Sequence, residues 1–587
     1  MKPRTQSLIF LAAVIAATVI VLFRMPQDVD LLVVNARIHT MDPAGSVAEA
    51  MALRGDRIAG VGSRAAIERS FRAQRIIDLH GATVLPGFID AHGHFLSLGL
   101  ARLTVDLVGA ESEGSAAARV ADRVRSVERG RWIRGRGWDQ NDWPSRSFPS
   151  RASLDRVAPD NPVYLARVDG HAAWLNSAAM RLAGITAATP DPPGGRILRD
   201  ASGRPTGILV DAALDLALRV LPEPTDDELR EALRVATAEL VSKGITGIHD
   251  MGEDARTISW LRKLIDENQL PLRVYAVIDG PGEAWDQFLA SGPLIGYGKN
   301  HLTVRAIKLY ADGALGSRGA ALIEPYSDDP GNRGLTMASA EVLDSVARQA
   351  VRHGFQVCTH AIGDRANHMM LDIYEDVERA SGPGDRRLRI EHAQILDPED
   401  IPRFQALHVI PSMQPTHCTS DMYWAEARLG PKRIRGAYAW RSLLATGSII
   451  AGGSDFPIER PDPLAGIYAA VTRRDTAGHP VDVNDVREHF QLAADSRPDS
   501  ADFADGWYGS QKMTRMEAVR CFTTWAATAA FEEQLKGSLQ SGMLADFVVL
   551  SDDPFAVAAE KIPSIRVEQT YCGGALVFDR HAAAAAP

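Results

Sequence analysis

Residues 85–95 read LPGFIDAHGHF: an apolar, strand-like run that follows a Pro-Gly turn and ends on His92 and His94, two apart and close to Asp90. Side chains alternate along a strand, so both imidazoles point the same way, toward one shared point, which is a way to hold a metal. With 16 His in 587 residues, such a pair arises by chance about 0.4 times per chain. The pair therefore decides nothing unless the rest of the chain brings further ligands to the same place.

Working outward from this run, seven more of the same kind follow. The eight are TVLPGFIDAH (83–92), GITGIHDM (244–251), LRVYAVID (272–279), TVRAIKLYADG (303–313), FQVCTHAIGD (355–364), LRIEHAQI (388–395), HVIPSMQPTH (408–417) and SIIAGGSDF (448–456). Stretches such as EALRVATAELVSKG (231–244) and LDSVARQAVRHG (343–354) lie between them, with apolar residues at helical spacing and a closing Gly. Strand and helix alternating in this way predict an α/β fold, and eight repeats of the pair predict a (β/α)8 TIM barrel.

Both chain ends differ from this pattern. DLLVVNARIHTMD (30–42), AEAMALRGDRIAGVG (48–62) and RIIDLHGATVLPG (75–87) are short β-rich runs broken by Gly and Asp, as are GSLQSGMLADFVVLSDDP (537–554) and VEQTYCGGALVFD (567–579). Neither set makes a domain alone, so they are expected to pair across the chain into one small β-sandwich, residues 29–84 with 536–580, enclosing a barrel over 85–535. The gap of about 150 residues after the first barrel run far exceeds an ordinary connection. It predicts a large insert over about 101–230, read as a lid or substrate-shaping subdomain at the catalytic face. A second irregular stretch, 476–506, would cover the same face.

The first 28 residues are a targeting segment: Lys2 and Arg4, an uncharged run from Leu8 to Phe23, then Arg24. No small-residue cleavage site closes the run, which predicts an uncleaved signal anchor with the catalytic part outside the cytoplasm, periplasmic or extracellular. A cleaved signal peptide and secretion are the alternative. For the rest, 45% hydrophobic and 24% charged residues describe an ordinary globular chain. A net charge of −10 argues against nucleic acid as a partner. The four cysteines are scattered without a CxxC pair, which excludes zinc-finger and dithiol redox chemistry. Beyond the membrane and a small-molecule substrate, a homo-oligomer remains open.

If the runs are barrel strands, their ends carry polar residues that packing does not explain. His92 and His94 end the first, Lys308 lies in the fourth, His360 ends the fifth, His392 the sixth and Asp455 the eighth. A single histidine at such a place is more often a hydrogen-bonded core residue than a ligand. Lys308 is harder to dismiss, because a lysine in an apolar strand is costly unless its charge is paired or removed. Reaction with CO2 would convert it to an anionic carbamate able to bridge two metal ions.

This ordered set, HxH, Lys, His, His, Asp, flanked by a split sandwich, resembles the amidohydrolase superfamily. LPGFIDAHGH, IKLYADGALGSRGAAL, HAIGDRA, RIEHAQ, GSDFP and GSLQSGMLADFVVL resemble more narrowly the amidohydrolase 3 family, which includes N-substituted formamide deformylases. The resemblance implies one divalent ion on His92, His94 and Asp455, a second on His360 and His392, and carboxylated Lys308 between them. One or two ions are compatible with it. Nitrogen and oxygen ligands suit zinc, with manganese, iron or cobalt as alternatives.

The activity expected is metal-dependent hydrolysis of a carbon–nitrogen bond in a small amide-type substrate, with Asp455 carrying the proton. A deaminase, or a hydrolase of another carbonyl-type bond, is the alternative on the same site, and a non-catalytic binding or regulatory protein lies further off. Trp138, Asp139, His171 and Asn176 in the insert are expected either to line the substrate pocket or to pack the lid. Arg318 would hold an anionic group or brace its Gly-rich loop. His417, ending the seventh run, would contact substrate and is the next candidate for the proton role. Asp364 and Arg365 are read as a structural pair.

Overall fold

The computed structural model describes residues 26–140, 143–167, 172–192, 195–478, 503 and 505–585. The N-terminal apolar segment, His171 and most of 476–506 lie outside them. Among the described residues no helix is long and apolar enough to cross a membrane. The chain forms two compact units, one comprising everything up to His94 together with Thr237 onward, the other Phe95–Ala236.

The first unit holds a nearly closed barrel of eight parallel strands, and they are the eight runs read from the sequence. They are β1 (Phe88–Gly93), β2 (Ile245–Glu253), β3 (Arg273–Asp279), β4 (Leu302–Tyr310), β5 (Gln356–Ala361), β6 (Arg389–His392), β7 (Ile410–Met413) and β8 (Ala451–Gly452). Each pairs in parallel with the next. All six residues of β1 and all four of β6 are buried. Strands covered on both faces read as continuous apolar runs rather than alternating ones, which is why they are visible in the sequence. The intervening helices are amphipathic. Ser339, for example, caps Ala340–Arg352 through the amide of Val342, and Leu343, Ala347 and Ala350 form its buried side.

The ring closes just beyond β8. The Asp455 amide donates to the His92 carbonyl at 2.7 Å, and the His94 amide to the Phe456 carbonyl at 2.8 Å. A Cβ on Gly93 would sit 2.2 Å from the Phe456 ring. Only a glycine between the two histidines therefore allows this approach, and it is the approach that sets His92 and His94 beside Asp455.

Two further sheets belong to the first unit. One joins Gln27–Val34, Ala50–Arg54, Arg57–Gly62 and Phe71–Asp78. In the other, Thr83–Pro86 pairs with Arg37–His39 on one side and antiparallel with Phe547–Leu550 on the other, so strands from both chain ends share one sheet. Leu31, Val33, Met51 and Val84 pack in one core with Phe547 and Tyr571, whose rings stack at 4.3 Å. The run at 83–92 is thus divided at Gly87, its first four residues in this sheet and its last in the barrel.

The second unit has a sheet of its own, with strands in the order Gly195–Arg199, Pro205–Asp211, Ala172–Leu175, Val163–Arg167, Ile133–Trp138, Val105–Asp106. Trp138, Trp143 and Trp174 meet at its centre with ring centroids 6.1 to 6.4 Å apart. Their indole N–H groups donate to the carbonyls of Leu165, Ala110 and Ser150.

Candidate metal centre

The carboxyl ends of the barrel strands surround a cavity of about 420 Å³, and His92, His94, Lys308, His360, His392, His417 and Asp455 all line it. His417 comes from the short helix Pro415–Asp421 that follows β7. Asp455 stands at the centre. Its Oδ1 lies 3.1 Å from His94 Nε2 and 3.6 Å from His92 Nε2, and its Oδ2 lies 3.7 Å from His417 Nε2. Among the described residues, two groups able to hold a cation therefore share this carboxylate: His92, His94 and Asp455, and His392, His417 and Asp455. The His360 ring lies 4.5 Å from that of His392, and Lys308 Nζ 3.4 Å from His92 Nε2.

The protonation states suit a cation. Burial, with Lys308 nearby, pushes His92 down to about 4 and His360 down to about 3. Burial also holds His392 well below the usual range and lowers Lys308. Burial opposes ionisation of Asp455, and positive charge beside it, from protonated imidazoles or from a cation in their place, outweighs this and holds the carboxyl below its ordinary range. Neutral imidazoles and an ionised carboxylate are the ligand forms that metals require.

A direct test of fit is whether the lone pairs are otherwise used. Among the described residues, His360 Nε2, His417 Nε2 and Asp455 Oδ1 are buried without a hydrogen-bond partner. Buried polar atoms are rarely left so, and three around one cavity are what a bound divalent cation would satisfy. The second ring nitrogens are engaged: His94 Nδ1 lies 2.7 Å from the Met251 carbonyl, His392 Nδ1 2.8 Å from Gln414 Oε1 and His92 Nδ1 2.6 Å from Glu391 Oε2. These contacts place the proton on Nδ1 and present Nε2 to the cavity. Asp455 and His392 both hold left-handed backbone, with φ of 59° and 73°. Such strain in non-glycine residues clusters at functional sites.

Asp90, which adjoins the opening histidine pair, serves as a clamp between the first and last strand ends. It accepts from Ser454 Oγ at 2.7 Å and from the amides of Ser454 and His92 at 3.0 and 3.1 Å, and burial pushes its carboxyl up to about 7.

The remaining candidates divide. His417 lines the cavity and belongs to one of the groups able to hold a cation. Arg318 braces its loop through Asp328, at 3.1 and 3.0 Å. Trp138 is wholly buried in the tryptophan core of the second unit, and Asn176 there binds the Val163 amide and the Ala158 and Asn161 carbonyls. Both have packing roles. Asp139 forms an ion pair with Arg167 at 2.6 Å within the same unit. Asp364 bonds Arg365 in a structural role, its Oδ1 accepting the backbone amides of Arg365 and Ile323. Glu391 and Gln414, inside RIEHAQ and HVIPSMQPTH, were not among the residues expected at the site, yet they hold His92 and His392.

Trp138→Ala is therefore expected to act on stability, at a cost of about 3–5 kcal/mol for deleting a buried aromatic. Denaturant unfolding of the variant checks this, and an undiminished midpoint would remove Trp138 from the core of its unit.

Comparison with known proteins agrees with this geometry. The model of the amidohydrolase family matches residues 75–578. The chain belongs to the amidohydrolase family. It is 36% identical over 563 residues to protein LONG AFTER FAR-RED 3 of Arabidopsis thaliana, covering 94% of this chain and 91% of that one. It is 29% identical to an N-substituted formamide deformylase of Arthrobacter pascens, covering 95% and 99%. A solved structure of an uncharacterized metal-dependent hydrolase from Pyrococcus horikoshii is 27% identical, with a TM-score of 0.73 over 90% of this chain and 99% of that one. Metal-dependent hydrolysis is thus the general chemistry of this amidohydrolase, and the centre described above is where a divalent metal fits.

Proposed function

We propose that this amidohydrolase cleaves the carbon–nitrogen bond of a small amide-type substrate. The observation that carries this reading is the position of Asp455, one carboxylate whose two oxygens face histidines from the two neighbouring strand ends, His94 after β1 and His417 after β7. The name of the Arthrobacter pascens relative, a formamide deformylase, supports the amide bond as the target.

In this reading His92, His94 and Asp455 hold one divalent ion, zinc by the chemistry of the donors, and His360 and His392 hold a second. When bound, such ions polarise a carbonyl and make water acidic near neutral pH. The protein supplies the rest. Burial disfavours the ammonium form of Lys308, and its amine form can add to CO2: an N–C bond forms as one C=O π bond opens, the proton released passes to water, and the carbamate would serve both ligand sets. Asp455 takes a proton from the water that attacks the carbonyl and returns it to the leaving nitrogen. Tyr310, Leu315 and Trp424 give the cavity apolar walls, and Gln394, Asp421 and Glu459 give it polar ones. His417, on the far side of Asp455, is placed to contact the substrate.

The test is metal analysis of the purified protein, then assay of an amide, lactam, ester and amidine panel before and after chelation. Amide turnover that disappears with the metal and returns on adding zinc is the expected result. Turnover of the amidine alone would favour deamination, and activity that survives complete metal removal would end the proposal.

A further inference from the structure

Glu391 immediately precedes the site residue His392 on β6. In a regular strand neighbouring side chains face opposite ways. The left-handed backbone at His392 breaks that alternation, and Glu391 reaches across the barrel to β1, where its Oε2 lies 2.6 Å from His92 Nδ1. Arg389, two residues earlier on the same side, donates from Nη2 to the same oxygen at 3.0 Å, and its Nε lies 2.8 Å from Glu391 Oε1. Arg389 is itself tied to the Ala91 carbonyl and Ser412 Oγ, at 2.8 and 3.0 Å, and its Nη1 lies 2.8 Å from His249 Nδ1. His92, His249, Arg389 and Glu391 are all buried in the barrel interior.

An ion pair in such a place is a poor way to gain stability. Desolvating both charges offsets most of their attraction, and an apolar pair of similar volume often does as well or better. What an apolar pair cannot do is hold the proton of His92 on Nδ1. The other two engaged imidazoles lean on neutral oxygens, those of Met251 and Gln414. The Nδ1 of His92 leans instead on a carboxylate, which donates more electron density to the ring and makes Nε2 the stronger ligand.

We propose that Glu391 is a positioning residue for the metal centre: it fixes the tautomer and aim of His92, with Arg389 anchoring it from behind. The proposal rests on the reading of this site as a metal centre. It makes His92 the dominant ligand of its set and extends the functional site one layer into the barrel.

The experiment uses the full-length protein and Glu391→Gln, with zinc affinity measured by chelator competition and the visible absorption of the cobalt(II)-substituted forms compared. Loss of the carboxylate should weaken zinc binding about 10- to 100-fold and shift the cobalt bands. Because Gln leaves Arg389 buried without its counter-charge, the double variant Arg389→Gln/Glu391→Gln is run beside it, with circular dichroism as the check on folding. A folded variant with unchanged zinc affinity and cobalt spectrum overturns the proposal and leaves the metal centre standing. Wild-type protein that binds no zinc sinks both. If neither variant folds, the pair is a folding element and the positioning role is wrong.

Discussion

Asp455→Asn is expected to cut amide turnover by about 10²- to 10⁴-fold, the usual worth of positioned acid–base catalysis, while most of the metal stays bound. The geometry gives the reason. Asp455 Oδ1 faces His92 and His94 while Oδ2 faces His417, so one carboxylate touches the histidines of both neighbouring strand ends. Asparagine keeps a carbonyl oxygen in that place but cannot accept and return a proton. An amide suffers most, because an amine leaves poorly until it is protonated. An activated ester, with a leaving group that needs no proton, should lose less. Steady-state kinetics on a matched amide and ester, with metal content measured on the same samples, checks the prediction. Near-native amide turnover with the metal in place would move the proton role to His417, whose Nε2 is buried on the same cavity and has no hydrogen-bond partner among the described residues.

Lys308→Ala should lower metal content and activity together, with zinc affinity falling by at least about 10²-fold, the upper range for losing a mere supporting group. Short carboxylic acids should restore part of both, by standing in for the carbamate. Stability should move the other way. Lys308 is 1% exposed, and burial already works against its charged form, so alanine removes a desolvation cost from the metal-free protein. Its thermal midpoint should be unchanged or higher. Elemental analysis, acetate titration of activity and melting of the chelated protein together check the point. Undiminished bound metal would take Lys308 out of the centre.

These two residues also show how far the chain could be read without its structure. Lys308 stood out because a lysine in an apolar strand needs a reason, and Asp455 because a carboxylate ends a buried run. Both signals are local. Glu391 carried the same kind of signal in RIEHAQ, but its meaning depends on a partner 299 residues away, and no local pattern names that partner. Trp138 stayed open for a related reason. Its surroundings in the sequence suit either a pocket wall or a core, and the choice between them depends on Trp143, Trp174 and the Leu165 carbonyl packing around it.

The sequence by itself determined the barrel, the order of its strands and the strand ends that carry histidine, lysine and aspartate. Each parallel strand is buried on both faces and so writes itself as a continuous apolar run, whatever lies elsewhere in the chain. It also pointed to strands at the two chain ends with no partners nearby. Only the tertiary structure decided which atoms meet. That Asp455 is shared, that His92 is held by Glu391 and that Asp90 clamps rather than ligates all follow from closing β8 onto β1. Closure sets distances of about 3 Å, on which hydrogen bonds depend, between residues whose separation along the chain carries no trace of them.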